Sequence, residues 1–213
     1  MTFFKKITFA ILTFSIFGFF QAQKIDAKSK AILDAVTKNY KENANTYFKF
    51  VYGSGIGKIT KTEPGIFYSA KDKYKLKIMG TEQIFDGNKV YNISDEDKEV
   101  TIAKPNGNES MFSPLSYLES YNKDYNVKYL GKIRVNGVNA DRIQLTPIKD
   151  NGLKYVYLYV NSAKNELVKL EQFAKDKSIS VIAIKDFKEN QNLSADMFSF
   201  EKNQYKNYII TEL

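Results

Sequence analysis

The chain has 213 residues and a formal net charge of +8, and it contains neither histidine nor cysteine. Those absences exclude catalytic triads built on His, thiolate chemistry, zinc sites with His or Cys ligands and any disulfide framework. Carboxylate, hydroxyl and amine chemistry remain, or binding without chemistry.

At the N-terminus Lys5 and Lys6 precede the uncharged apolar run "ITFAILTFSIFGFF", Ile7 to Phe20, which "QAQK" follows at once. This is the layout of a secretory signal peptide, because a spanning helix wants about 20 apolar residues. Cleavage is expected after Ala22, giving a signal peptide over 1–22 and a single domain over 23–213. Loss of Lys5 and Lys6 lowers the net charge to +6. With no later apolar span and no cysteine for a lipid anchor, the product is expected to be exported and, in a double-membraned bacterium, periplasmic. Most lysines alternate with apolar residues, as in "KYKLKIM", the pattern of a solvated strand face. Nucleic acid is therefore not an expected partner, whereas transient contact with an anionic membrane surface is.

Next, "DAKSKAILDAVTKNYKENA" sets Ile32, Val36 and Tyr40 four apart with Leu33 beside them, which predicts one amphipathic helix from Asp26, its cap, to about Asn43. From Tyr47 the apolar period drops from four to two. Strands are expected near 47–52, 55–61, 65–70, 73–79, 82–86, 89–94, 99–103, 125–134, 138–147, 153–161, 165–174 and 178–189. The pairs Asp86-Gly87, Asn106-Gly107, Asn136-Gly137 and Asn151-Gly152 supply the positive φ angles of tight hairpins. Midway, "MFSPLSYLESY" predicts a short helix capped by Ser113 and opened by Pro114, with Leu115, Leu118 and Tyr121 on neighbouring turns. Near the end, "NLSADMFSF" predicts a turn of helix followed by Phe198 and Phe200, which pin the chain's end back on the sheet. The fold class is mainly β with helices, a largely antiparallel sheet in one domain.

The stretch "EQIFDGNKVYNISDEDKEVTI" holds six carboxylates. Read as a calcium loop from Asp95, it has Val100 where the loop needs Gly and Asn106 where it needs Glu. Read as an acid/base pair, Asp95, Glu96 and Asp97 share one exposed environment, which does not separate their pKa values. They are turn residues, and no catalytic residue, metal ligand or cofactor is expected.

The 16 Phe and 15 Tyr are the more telling content. Alternation puts Phe48, Phe50 and Tyr52 on one face of their strand, and Tyr74, Leu76 and Ile78 on one face of theirs. So wide an apolar face exceeds what one long and one short helix can cover, and an incompletely filled face is a ligand cavity. The candidate cavity residues are Phe48, Phe50, Tyr74, Leu76, Ile78, Tyr91, Ile93, Ile143 and Leu145, with Leu115 and Leu118 on the middle helix as a lid.

The order of elements resembles the periplasmic carriers of outer-membrane lipoproteins, the LolA-like family. The segments "TYFKFVYGSGIGKITKTEPGIFYSAKDKYKLKI", "EQIFDGNKVYNIS", "SPLSYLESY" and "IKDFKENQNLSADMFSFE" are similar to that family's opening strands, Asp-Gly hairpin, mid-chain Pro-Leu helix and closing strand. The resemblance implies a strongly curved antiparallel sheet forming an incomplete, open β-barrel, its concave face covered by the N-terminal and middle helices. It further implies a monomeric carrier of lipoprotein acyl chains, not an enzyme, working between an inner-membrane lipoprotein-releasing transporter and an outer-membrane acceptor. Where the family usually carries Arg before Pro to latch its lid, this chain has Glu63-Pro64. The alternative within the resemblance is a binder or sensor of another lipid or hydrophobic ligand. Outside it stand a carboxylate hydrolase and a structural β-protein of the envelope.

Overall fold

The computed structural model describes residues 23–105, 115–194 and 196–213. The expected signal peptide, the Asn106-Gly107 turn and the Ser113-Pro114 helix start lie outside them. Among the described residues two α-helices, one short 3-10 helix and twelve strands run in the order α1 (Ala27–Glu42), β1 (Thr46–Ile56), β2 (Lys61–Ala70), β3 (Lys73–Ile78), β4 (Thr81–Phe85), β5 (Val90–Ser94), β6 (Glu99–Ala103), α2 (Leu115–Asp124), β7 (Tyr125–Val135), β8 (Val138–Pro147), β9 (Leu153–Asn161), β10 (Glu166–Ala174), β11 (Ser178–Glu189), the 3-10 helix (Lys202–Tyr205) and β12 (Ile209–Glu212). All twelve strands join one curved sheet, ordered β12-β6-β5-β4-β3-β2-β1-β11-β10-β9-β8-β7, that does not close into a barrel. Among the described strands only β12 pairs in parallel, with β6; outside the named strands Ile25 forms a parallel bridge to Val127. Below, the first end of the sheet is where β1 begins, and the second end is where it finishes.

Two strand expectations need correction. The expected break between 47–52 and 55–61 does not occur: β1 runs straight through Gly53 and Gly55 to Ile56, and the turn comes after it, with Gly57 at φ +71, before β2 starts at Lys61. The glycines there serve close approach, because a Cβ on Gly55 would lie 2.0 Å from the Lys58 carbonyl oxygen as the turn folds back. The other correction is β12, which the sequence reading missed. It has four residues, too few for a period to show.

Helix α1 begins as its sequence predicts, with Asp26 Oδ1 accepting from the Ser29 amide at 2.8 Å. It is fixed at both ends. Before it, the Asp26 amide donates to the Val127 carbonyl at 3.0 Å and the Val127 amide to the Lys24 carbonyl at 2.8 Å, so the entering chain pairs with edge strand β7. After it, Ala44 and Gln191 amides donate to the side chains of Asn190 and Asn45 respectively, tying the exit to the end of β11. Helix α1 therefore straps the concave face, burying Leu33, Val36 and Tyr40.

The register places Phe48 against Phe67, Phe67 against Leu76 and Phe50 against Gly65. These residues and Ile143, Leu145, Leu158 and Leu170 share one core with Leu33, Val36, Leu118 and Tyr121 of the helices. Gly65 is dictated by its neighbour, since a Cβ there would sit 2.2 Å from the Phe50 ring. Pro64 is tolerated because β3 ends opposite Gly65 and leaves Pro64 one strand partner, Val51.

A second, smaller core lies on the other face of the sheet. The register of β4, β5 and β6 aligns Ile84 with Tyr91, Tyr91 with Ile102 and Ile93 with Val100, on the convex side. The C-terminal segment crosses beneath them: Phe200 stacks on Tyr91 at 4.7 Å and on Tyr205 at 5.1 Å, while Ile210 packs alongside. The chain's end is thus pinned to the sheet through Phe198, which is buried, and Phe200, on the convex face.

Gly65→Ala should destabilise the fold by about 1–3 kcal/mol through overpacking against Phe50. Urea unfolding will show it, and the cost should shrink in the Phe50→Leu background.

Candidate functional site

Cross-strand aromatic contacts run along the concave face from β1 to β4. Phe48 stacks on Phe67 at 5.0 Å, Phe67 on Tyr74 at 5.8 Å, and Tyr74 meets Phe85 at 5.6 Å. The row exists because alternation and register agree: each ring is directly opposite the next or, for Phe67 and Tyr74, its diagonal neighbour two residues along on the same face. Beyond it the concave face turns polar, as Tyr74 Oη donates to Gln83 Oε1 at 2.8 Å and Gln83 Nε2 to Asn92 Oδ1 at 2.6 Å.

The helices cover this face unevenly. Their backbones approach β7 and β10, and only the first turn of α2 and the last turn of α1 reach towards the aromatic row. Two adjoining spaces open there at the first end. One, of about 250 Å³, lies between Thr37, Tyr40 and Lys41 of α1, Leu115 and Leu118 of α2, and Thr46 and Ser69 of the sheet. The other, of about 340 Å³, is floored by Phe67, Tyr74 and Phe85 and walled by Leu115, Ser116 and Glu119. Ser69, Lys71, Leu115 and Glu119 line both, which makes them one groove. Asn43 lines it too, and its buried Nδ2 has no hydrogen-bond partner among the described residues. A third space of about 410 Å³ opens at the second end, between Tyr52, Ser54, Leu153, Gln172 and Ser180. Its interior limit is a polar relay in which Ser180 Oγ donates to Gln172 Oε1 at 2.5 Å and Gln172 Nε2 to Tyr117 Oη at 2.6 Å.

Of the sequence-predicted residues, Phe48, Phe50, Tyr74, Leu76, Ile78, Ile143, Leu145 and Leu118 belong to the concave core, and Leu115 packs at its edge. Tyr74, Leu115 and Leu118 line the groove itself; Ile143 and Leu145 lie fully buried away from it. Tyr91 and Ile93 are corrections: they face the convex core under the C-terminal segment. Phe67 and Phe85 were missed. Their signal was present as alternation in "GIFYSA" and "EQIFD", but only the register brings them beside Tyr74. Glu63 is exposed on β2, opposite Tyr52 and far along the strand from Leu115's neighbour Ser69.

Electrostatics here support structure. The two helices are joined by Tyr121 Oη donating to Asp34, while Thr37 Oγ1 donates to the Leu33 carbonyl at 2.7 Å and approaches that of Leu118 at 3.3 Å. Lys30 and then Tyr121 hold the Asp34 carboxyl below the usual range, and burial followed by Asp34 pushes the Tyr121 phenol up. At buried Asp141 desolvation pushes the carboxyl up, but hydrogen bonds from Tyr129 at 2.6 Å and Ser162 at 2.7 Å, with Lys132 and Lys28 nearby, hold it below the usual range. The acidic turn is also spoken for: Asp95 accepts from Tyr208 at 2.7 Å and Asp97 from Ser94 at 2.6 Å. Among the described residues no three acidic side chains gather as a metal site.

With this geometry in hand, the sequence pattern of the family described as outer membrane lipoprotein carrier protein LolA matches residues 57–201. No curated protein matches the chain. Among solved structures, an uncharacterized conserved protein from Thermus thermophilus aligns with a TM-score of 0.62 at 12% identity, over 87% of this chain and 99% of that one. The lipoprotein LppX of Mycobacterium tuberculosis aligns with a TM-score of 0.51 at 10% identity, over 80% and 100%. At such identities the likeness is one of fold.

Tyr121→Phe should cost about 1 kcal/mol in urea unfolding and speed amide exchange in α2. Because the folded-state pKa of Asp34 is depressed, the stability it contributes is present above its unfolded value and lost as pH falls through the folded one. The variant should therefore show a shallower loss of stability in acid.

Proposed function

Because the chain belongs to the LolA family of outer membrane lipoprotein carrier proteins, we propose that it is a periplasmic carrier that shelters acyl chains against its concave face. The observation that carries this reading is the groove at the first end, whose aromatic floor is made of Phe67 and Tyr74, both buried, and Phe85, which stays partly exposed. Aromatic rings and Leu115 give it an apolar lining, and Asn43, Lys41 and Lys71 at one side offer donors to an ester or acidic head. Nothing in that set is arranged for bond cleavage, and the reading is one of binding.

The energetics suit carriage. Burying a methylene is worth about 0.8 kcal/mol, so sheltering most of a sixteen-carbon chain contributes roughly 10 kcal/mol before the costs of opening the site. Release then requires a wall that moves at comparable cost. Helix α1 is tied down at both ends, so the moving wall is the first turn of α2, where Leu115 is only half-buried. The adjoining spaces of about 250 and 340 Å³ stand at the lower part of the roughly 300–1,000 Å³ of ordinary ligand sites. They accept part of one acyl chain as they stand. A triacylated lipoprotein needs further opening, and the same small volume favours a second reading, a carrier of a single-chain or otherwise smaller lipid. Glu63 in place of the family's Arg points the same way. Under the first reading the partners are an inner-membrane lipoprotein-releasing transporter and an outer-membrane acceptor.

Leu115→Glu should lower affinity for a fluorescent fatty acid about tenfold or more while leaving the far-ultraviolet circular dichroism of the sheet unchanged; unaltered affinity would remove α2 from the site. Mass spectrometry of organic extracts from native protein separates the cargoes. Triacylated peptide supports lipoprotein carriage, free fatty acid or phospholipid supports the second reading, and recovery from the cytosolic fraction contradicts both.

A further inference from the structure

Six large apolar side chains are exposed among the described residues: Ile133 and Leu213 lie at the first end of the sheet, and Ile56, Met79, Ile148 and Ile209 at the second. Among the described residues Ile56 is 75% exposed and Ile148 41% exposed, and both sit at the second end of the sheet, far from the acyl groove. Ile56 ends β1 at the tip of the β1–β2 hairpin, and Ile148 follows β8. Three turns join there into one continuous rim. The Gly57 amide donates to the Lys177 carbonyl at 2.8 Å, the Lys175 amide donates to the Gly152 carbonyl at 2.9 Å, and Lys175 Nζ meets Asp150 Oδ2 at 2.7 Å.

The same rim is basic. Lys58, Lys61, Lys149 and Lys177 are exposed on it beside the two isoleucines. Its acids are fewer and partly engaged: Asp150 pairs with Lys175, Asp176 accepts from the Ser178 amide at 2.8 Å, Glu63 stands on β2, and exposed Asp124 lies beside Ile148, whose amide donates to the Asp124 carbonyl at 2.9 Å. Farther round the second end the charge reverses at Asp95, Glu96 and Asp97, where Met79 and Ile209 are exposed among acids. Apolar tips flanked by lysines are the composition that seats a protein in the headgroup layer of an anionic bilayer, each tip entering the apolar boundary while the ammonium groups meet lipid phosphates. The acidic turn tilts the remaining rim away from such a surface.

We propose that the β1–β2 hairpin tip and the turns 148–152 and 175–177 form a docking rim for anionic membrane surfaces. The open space between Tyr52, Ser54, Leu153 and Gln172 lies directly inside this rim, so a docked molecule presents one mouth of its concave face to the lipid. The proposal does not depend on what the concave face carries.

The test is vesicle flotation of a chain starting at Gln23, which holds every described element, with phosphatidylglycerol–phosphatidylcholine vesicles and with phosphatidylcholine alone. The chain should float with the anionic vesicles at low salt and detach as ionic strength rises past about 0.15 M. Ile56→Glu combined with Ile148→Glu should reduce binding about tenfold or more, as should neutralising Lys58 and Lys177. Ile209→Glu, at an exposed residue on the acidic side, should leave it unchanged. Absence of anionic-vesicle binding by the parent chain, or equal loss in the Ile209 variant, would overturn the proposal. Fatty-acid binding in solution should persist in the Ile56/Ile148 variant, so failure of the rim and failure of the acyl groove give different results.

Discussion

Everything in this molecule follows from one mismatch of area: a twelve-strand sheet carries an apolar concave face wider than two helices can cover. An antiparallel sheet needs one face sheltered from water, and helices are the usual shelter. Here α1 is anchored to β7 at its start and to the end of β11 at its finish, so its path across the face is fixed. Helix α2 joins it through Tyr121 and Asp34. Together they fill the half of the face around β7 to β10, and of the aromatic row from Phe48 to Phe85 only Phe85, at its far end, stays partly exposed.

Elsewhere the fold resolves the same mismatch differently. At β4 to β6 the buried side is the convex one, sealed by Phe200, Tyr205 and Ile210 from the chain's end, while the concave side of those strands carries Gln83 and Asn92. The apolar floor of the groove is thereby bounded: polar side chains limit it beyond Phe85, and the relay of Ser180, Gln172 and Tyr117 limits the space at the second end. A sheet that exchanges its buried face in this way confines a hydrophobic ligand to the strands between, and leaves the turns at its second end free to serve another surface.

Much of this was legible from sequence because it rests on local rules. Asp26 capping α1, the Leu33–Val36–Tyr40 stripe, and the alternation in "YFKFVY" and "KYKLKIM" each follow from one period and one turn chemistry. Asn136-Gly137 makes its turn at φ 51 and 82 for the same reason. The facing of β5 was not legible. Val90, Tyr91 and Ile93 place apolar groups on both sides of that strand, and what decides between them is a segment a hundred residues later in the chain. Nor does alternation tell Gly53 and Gly55 from turn glycines, because what they accommodate, a returning turn, is visible only in space. Within the site, Tyr74 and Leu115 were found by pattern, whereas Phe67 and Phe85 required the strand register that sets them beside Tyr74.

The central claim is that acyl chains enter between the first turn of α2 and the aromatic row of the concave face, beside its partly exposed end at Phe85. A fatty acid bearing a photoreactive diazirine, bound and irradiated, tests it most directly through the peptides that carry the adduct. The account predicts labelling of Phe67, Tyr74, Phe85 and Leu115, competed by unlabelled fatty acid. Labelling confined to the convex side, at Tyr91 or at Tyr155 and Phe173, would contradict it.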